Sequence, residues 1–191
     1  MEEKLFELLS VRRGHFVLES GHHGNLWLDL DSLFLRPARL PPLARDLAQR
    51  LSGHGVEAVV GPLVGGAFVA EMVAADLDVR FAFAERRVGA EGVSYAIPDA
   101  FHGHLRGKTV AIVDDAINAG SATGATFAAL TALGARPVAV GALLILGDTA
   151  LPFFAANRLA VESVARLANE LWKPAACPLC AAGVPFSSPS A

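Results

Sequence analysis

Near the amino terminus, apolar residues at Leu5, Leu8 and Leu9 sit at helical spacing and predict a short amphipathic helix over 2–11. Two runs, Gly14-His15-Phe16-Val17-Leu18 and Leu26-Trp27-Leu28-Asp29-Leu30, suit short strands around a polar turn at 20–25. From about Arg39 to Ser52 the spacing of Leu43, Leu47 and Leu51 is helical, and Gly53 and Gly55 end it. A regular alternation follows. Ala58-Val59-Val60 reads as a buried strand running into Gly61-Pro62-Leu63-Val64-Gly65-Gly66 and a helix to about Asp76. Val79 to Ala84 is a further strand, and Thr109-Val110-Ala111-Ile112-Val113 carries the strongest strand signal of all. A glycine-bearing turn, a helix to Leu133 and a strand over Pro137 to Leu146 complete the series. Strands apolar on both faces, alternating with helices, predict an α/β fold: a central parallel sheet flanked by helices. Arg86 to Gly107 is polar and without sustained period, which predicts a long mobile excursion. The chain is less regular after Leu151, and Pro185 to Ala191 reads as a frayed tail.

Composition narrows the class. The chain has 191 residues, 53% of them hydrophobic, enough for one sizeable core and too many for a disordered chain. The net charge of -3 gives no reason to expect nucleic acid or an anionic membrane as partner. Mean hydropathy is positive. The longest nearly apolar stretch, Ala125 to Leu146, is nevertheless broken by Gly134, Arg136 and Pro137, so it reads as helix, turn and strand rather than a membrane span. The start, Met-Glu-Glu-Lys, lacks the basic-then-apolar pattern of a signal peptide, and a cytoplasmic location is expected. The only cysteines are Cys177 and Cys180. One C-x-x-C supplies two ligands where a structural zinc takes four, so the pair reads first as reduced thiols, with metal, tail-docking and redox roles as alternatives.

The chemistry concentrates in Asp114-Asp115-Ala116-Ile117-Asn118-Ala119-Gly120-Ser121-Ala122. Two acids end a buried strand, and small residues open the next helix. Ligands of parallel α/β sheets bind at the carboxyl ends of strands. Small residues let the backbone approach a phosphate, and the unpaired N–H groups of a helix start aim at it. Carboxylates are poor phosphate partners but good acceptors for vicinal hydroxyls. Asp114 and Asp115 therefore suit a ribose 2′,3′-diol, and Asn118 to Ala122 its 5′-phosphate. A strand-end Asp pair capping the helix is the plainer alternative. The segment lacks the Gly-Lys-Ser/Thr of a Walker A loop.

This segment resembles the 5-phosphoribosyl-1-pyrophosphate (PRPP) motif of type I phosphoribosyltransferases, in the form found in orotate phosphoribosyltransferases. Gly14 to Gly21 resembles the amino-terminal signature of the orotate enzymes, Gly61 to Gly66 their pyrophosphate loop, and Cys177-Pro178-Leu179-Cys180 the tail of one branch. The resemblance implies a single domain over 1–191, with a core over about 35–150, a small hood from 1–34 and about 151–176, and a tail over 177–191. It implies transfer of phosphoribose from PRPP to a nitrogenous base, orotate first among acceptors, with Asp114, Asp115 and Arg87 as catalytic residues. Asp114 through Ala122 would bind PRPP, Gly65, Gly66, Arg86 and Arg87 the pyrophosphate, and the Asn118 amide the base. Mg²⁺ would arrive with PRPP rather than through a protein metal site, and a homodimer would bring the loop after Arg87 to the neighbour's site.

The chain also departs from that pattern. The family's Arg-Lys-Glu-x-Lys run followed by a His is here Phe83-Ala84-Glu85-Arg86-Arg87, with Gly89 at the His position. Arg stays charged and neutralises pyrophosphate but is unsuited to donating a proton. Glu19 stands where the family often carries Lys, and Gly147-Asp148 near the position of an Arg that holds orotate's carboxylate. These departures keep two alternatives open: a transferase for a different base, and a non-catalytic PRPP- or nucleotide-binding regulator.

Overall fold

The structure is a computed structural model that describes residues 1–18, 20–89 and 92–188; Glu19 lies outside the described residues. Six strands form the main sheet: β3 (Ala58–Pro62), β4 (Arg80–Gly89), β5 (Gly92–Ala96), β6 (Thr109–Ile117), β7 (Arg136–Leu146) and β8 (Ala160–Leu167). Their spatial order is β5-β4-β3-β6-β7-β8, with every pair parallel except the β4–β5 hairpin. The chain builds outward from β3 to β4 and β5, then from β6 outward to β7 and β8. Its direction of growth therefore reverses between β3 and β6, which places a crevice at their carboxyl ends.

Side chains of successive strand residues point to opposite faces, and both faces are dry. Val59, Ala111 and Val113 pack with Leu43 and Leu47 of α2 (Pro41–Leu51) and with Val69 and Val73 of α3 (Gly65–Leu77). Val60, Val110 and Ile112 pack on the other face with Leu105 of α4 (Asp99–Leu105), Leu130 of α5 (Ser121–Leu133) and Phe154 of α6 (Leu151–Ala156). Complete burial of Val59, Val60, Val110 and Ile112 explains why these strands read as continuous apolar runs. A second sheet of three strands, β1 (Ser10–Val17), β2 (His23–Asp29) and β9 (Leu171–Trp172), lies beyond the short amino-terminal helix α1 (Glu2–Phe6). Among the described residues, no helix is long and apolar enough to cross a membrane.

Three sequence expectations need correction. Among the described residues, the stretch from Arg86 to Gly107 continues β4 to Gly89 and adds strand β5 and helix α4. Its antiparallel pairing, from Glu85↔Ala96 to Gly89↔Gly92, satisfies the backbone without apolar alternation, so periodicity carried no signal. The hood takes less of the last third than 151–176: Ala160–Leu167 pairs with β7 from Ala139↔Ala160 to Leu146↔Leu167, and only Leu171–Trp172 joins the small sheet. The tail is attached rather than frayed as far as Ser187, whose N–H donates to the His15 carbonyl at 2.7 Å.

Candidate active site

The crevice at the β3–β6 switch opens into a cavity of about 640 Å³, the size of a nucleotide-scale ligand site. Its floor is the end of β6. Asp114 is buried, its Oδ1 accepting the Asp115 N–H at 3.0 Å and its Oδ2 the Thr123 hydroxyl at 3.4 Å. The Asp115 Oδ1 accepts the Ala116 N–H at 2.9 Å. Among the described residues, no cationic side chain forms an ion pair with either acid. Burial, reinforced by the charge of Asp115, holds the Asp114 carboxyl well above the usual carboxylate range. Burial also raises Asp115, opposed by its hydrogen bonds and assisted weakly by Asp31. Two adjacent carboxylates that the protein leaves short of counter-charge are acceptors waiting for hydroxyl donors or a cation.

Across the cavity the chain turns from β6 into α5. Gly120 occupies the left-handed region at φ 76°, and a Cβ there would come within 2.8 Å of the Ala150 Cβ, so both conformation and space require glycine. No side chain caps α5. Its first N–H groups, at Ser121, Ala122 and Thr123, lack intrahelical partners and lie in the cavity wall, where the helix dipole favours an anion. Asn118 and Ala119 line the same wall. The Asn118 Oδ1 accepts the Asn169 amide at 3.0 Å, which orients its own amide group.

The loop after β3 packs against the acid pair, and Gly65 and Gly66 are not among the residues that line the cavity. It contains a cis Leu63–Val64 peptide and leads into Gly65 and Gly66 at the start of α3. A Cβ at Gly65 would overlap the Asp115 carboxylate, and one at Gly66 the Asp114 carboxylate. Glycine is thus what lets this loop touch the acids.

Arg86 and Arg87 are separated by the strand alternation. Arg86 shares a face of the β4–β5 hairpin with Val93 and Tyr95 and lines the cavity. Arg87 lies on the opposite face, exposed, 3.6 Å from Glu85. The hood roofs the cavity with Leu26, Trp27, Asp29 and Asp31. Asp29, Asp31, Tyr95 and Asn169 escaped the sequence reading. Asp29 stood inside a recognised strand, but nothing local indicated that the hood would fold over β6. Gly147, in the left-handed region, uses its N–H to hold the Leu167 carbonyl at 2.8 Å. His102 binds the Ile97 carbonyl at 2.9 Å within the α4 region, and His23 turns away from the cavity toward the carboxy-terminal tail.

A parallel sheet whose switch point joins paired acids to an uncapped helix start defines an α/β protein with the groups to hold an anionic, hydroxyl-bearing ligand. Comparison with known proteins sharpens this. Residues 39–150 match the phosphoribosyl transferase domain. The orotate phosphoribosyltransferase of Thermotoga maritima is 30% identical, with 99% of this chain and 96% of the relative covered. The crystal structure of orotate phosphoribosyltransferase from Aeropyrum pernix superposes with a TM-score of 0.65 at 25% identity, over 82% of this chain and 88% of that one. Adenine phosphoribosyltransferase from Thermoanaerobacter pseudethanolicus gives a TM-score of 0.69 at 17% identity, over 86% and 99%, and so shares the fold. The chain belongs to the phosphoribosyltransferase family and is a transferase of the phosphoribosyl group.

Proposed function

We propose that this enzyme transfers 5-phosphoribose from PRPP to orotate, releasing pyrophosphate, and works as a Mg²⁺-dependent cytoplasmic homodimer. One observation carries the reading: the buried acid pair and the uncapped start of α5 face a single cavity, in a chain similar to orotate enzymes along nearly its whole length. Asp114 and Asp115 accept the ribose 2′- and 3′-hydroxyls, and the N–H groups from Asn118 to Ala122 take the 5′-phosphate. Gly65, Gly66 and Arg86 meet the pyrophosphate. As the bond from C1′ to pyrophosphate oxygen breaks, the oxygen keeps the electron pair and the ribose ring gains positive charge. The acid pair beneath it stabilises that charge. Asn118 offers its amide to the incoming base, whose ring nitrogen forms the new bond to C1′ and gives up its proton.

The residues present fit Mg²⁺. The ion would arrive with PRPP, and two buried acids without an ion-pair partner among the described residues would tolerate a cation beside the sugar they hold. Bound with PRPP, the ion would neutralise pyrophosphate and favour its departure. Two observations support a dimer. Arg87 points away from its own cavity, as a residue serving a neighbour's site would. Val64, just before α3, and Phe68 within it are exposed, Phe34 packs on Phe68 at a tilt with ring centroids 5.3 Å apart, and Leu35 follows, 80% exposed.

A second reading, a transferase for a neutral base, is favoured by the cavity's charge: Asp29, Asp31, Asp114 and Asp115 against Arg86. An unpaired or repelled carboxylate in a partly desolvated site costs about 2–5 kcal/mol, or roughly 30- to 5000-fold in affinity. Pyrophosphate release measured with PRPP, Mg²⁺ and a panel of bases decides the matter. Orotidylate formation within tenfold in kcat/KM of a reference orotate enzyme supports orotate. Turnover of a neutral base with orotate inert establishes the second reading. Failure of every base refutes both.

A further inference from the structure

His15, His23, Cys177 and Cys180 come together at the far end of the hood, with one ligand-capable atom from each lying within 4.8 Å of all the others. His15 and His23 stand on the paired strands β1 and β2, next to an irregularity between Arg13 and Phe16, where the chain inserts one extra residue. Such a bulge re-aims a side chain. The cysteines flank the start of α7 (Pro178–Ala181). The His15 Nε2 lies 3.4 Å from the His23 Nδ1, 3.4 Å from the Cys177 sulfur and 3.7 Å from the Cys180 sulfur, and the Cys180 sulfur lies 3.2 Å from the His23 Nδ1.

We propose that these four side chains form a structural zinc site that clamps the carboxy-terminal tail to the hood. Zn–N bonds of about 2.0–2.1 Å and Zn–S bonds of about 2.3 Å at tetrahedral angles give N–N, N–S and S–S edges of about 3.3, 3.6 and 3.8 Å. The N–N separation and the three N–S separations given above lie within about 0.4 Å of these edges. Four donors converging on one point is the geometry of a shared ion, whereas a hydrogen-bonded group would pair them two by two.

The surroundings agree. His15 and His23 are buried, as is Cys177. The His15 Nδ1 is 2.8 Å from the Val184 carbonyl, an oxygen that can only accept. The proton therefore sits on Nδ1, and the Nε2 lone pair faces the cluster, the outer-shell arrangement of metal-bound histidines. The Phe186 ring packs against both imidazoles, at 4.2 and 5.0 Å between centroids, and shields the site. Two Cys and two His fill a tetrahedral shell with no open position, so the site is structural rather than hydrolytic. On binding, both thiols release their protons to solvent, and two thiolates neutralise the ion's charge.

The clamp has a mechanical consequence. β2 continues from His23 into Leu26 and Trp27 of the cavity roof, and His23 pairs with Trp172 of β9. Gly14 lets the tail cross β1, since a Cβ there would collide with the Ser187 side chain. Zinc thus ties hood hairpin, β9 and tail into one unit.

The test uses the full chain, purified under reductant without added metal. The expected result is one zinc per chain by elemental analysis. Cobalt chloride added to demetallated protein should give the intense visible bands of tetrahedral Co²⁺ and a thiolate-to-metal charge-transfer band. Removal of zinc by chelator should lower the melting temperature and open residues 177–188 to protease, and zinc chloride should restore both. Cys177→Ser with Cys180→Ser should lose the metal and the charge-transfer band. A wild-type protein that melts identically with and without zinc overturns the proposal, and so does a six-coordinate cobalt spectrum lacking the thiolate band. The cobalt arm needs no variant, so a misfolding double mutant leaves the proposal open to refutation.

Discussion

Replacing Asp114 by Asn should stabilise the ligand-free protein while destroying its ligand site. The fold holds Asp114 buried beside Asp115, and both burial and the neighbouring charge raise its pKa well above that of an exposed carboxyl. An unfolded Asp titrates near about 3.9. Between that value and the higher native one, the native state binds more protons than the unfolded state, so stability falls as pH rises through the native pKa. At neutral pH the wild-type protein carries this penalty and the Asn variant does not. Burial and the neighbouring Asp115 both oppose ionisation of Asp114, and a neutral amide at that position escapes both. Asn keeps an acceptor for the Asp115 N–H but weakens that charge-assisted bond, which offsets part of the gain. The net stabilisation is then about 1–3 kcal/mol, a rise of about 3–10 °C in melting temperature for a chain of this size. PRPP with Mg²⁺ should raise the wild-type melt and leave the variant's unchanged. Differential scanning fluorimetry at several pH values, with and without ligand, reads both effects. The gap between variant and wild type should narrow as pH falls, because protonation removes the wild-type charge. A ligand-free variant that melts below wild type, or a gap that widens in acid, would refute the reasoning.

Three further outcomes follow from other contacts. Arg87→Ala should abolish turnover yet regain activity when mixed with inactive Asp114→Asn chains, since hybrid dimers contain one intact site; no recovery after co-refolding would exclude the trans role. Gly66→Ala pushes a methyl into the Asp114 carboxylate and should remove the PRPP-induced melting shift with little change in far-ultraviolet circular dichroism; retained binding would show that the loop yields. Glu57 is held at a pKa of about 2 by the Lys108 ammonium at 2.8 Å and by the Thr109 N–H and hydroxyl. A depressed carboxyl pKa stabilises above the unfolded value and loses that contribution as pH falls toward about 2. Glu57→Gln should therefore melt below wild type at pH 7 and converge with it in acid, and a gap independent of pH would contradict this.

The alternation from Ala58 to Leu146 sufficed to predict a parallel sheet covered by helices, because strands buried on both faces must be apolar throughout. The turn from Asp114 to Ala122 was equally legible, since a strand end, two acids and a helix start are neighbours in the chain and form one local structure. Tertiary structure decided the rest. The crevice exists because β3 and β6, some fifty residues apart, lie side by side, and the hood's Asp29 and Asp31 reach it only through the small sheet. Whether Arg86 or Arg87 faces the cavity depended on the register of a hairpin too polar to show a period. Cys177 and Cys180 offered two ligands in the sequence, one pair short of a zinc site. The missing pair was His15 and His23, about 160 residues earlier, and only the return of the tail across β1 makes the four neighbours. Local chemistry is set by bonded neighbours, whereas a site assembled across the chain depends on where packing brings its distant ends.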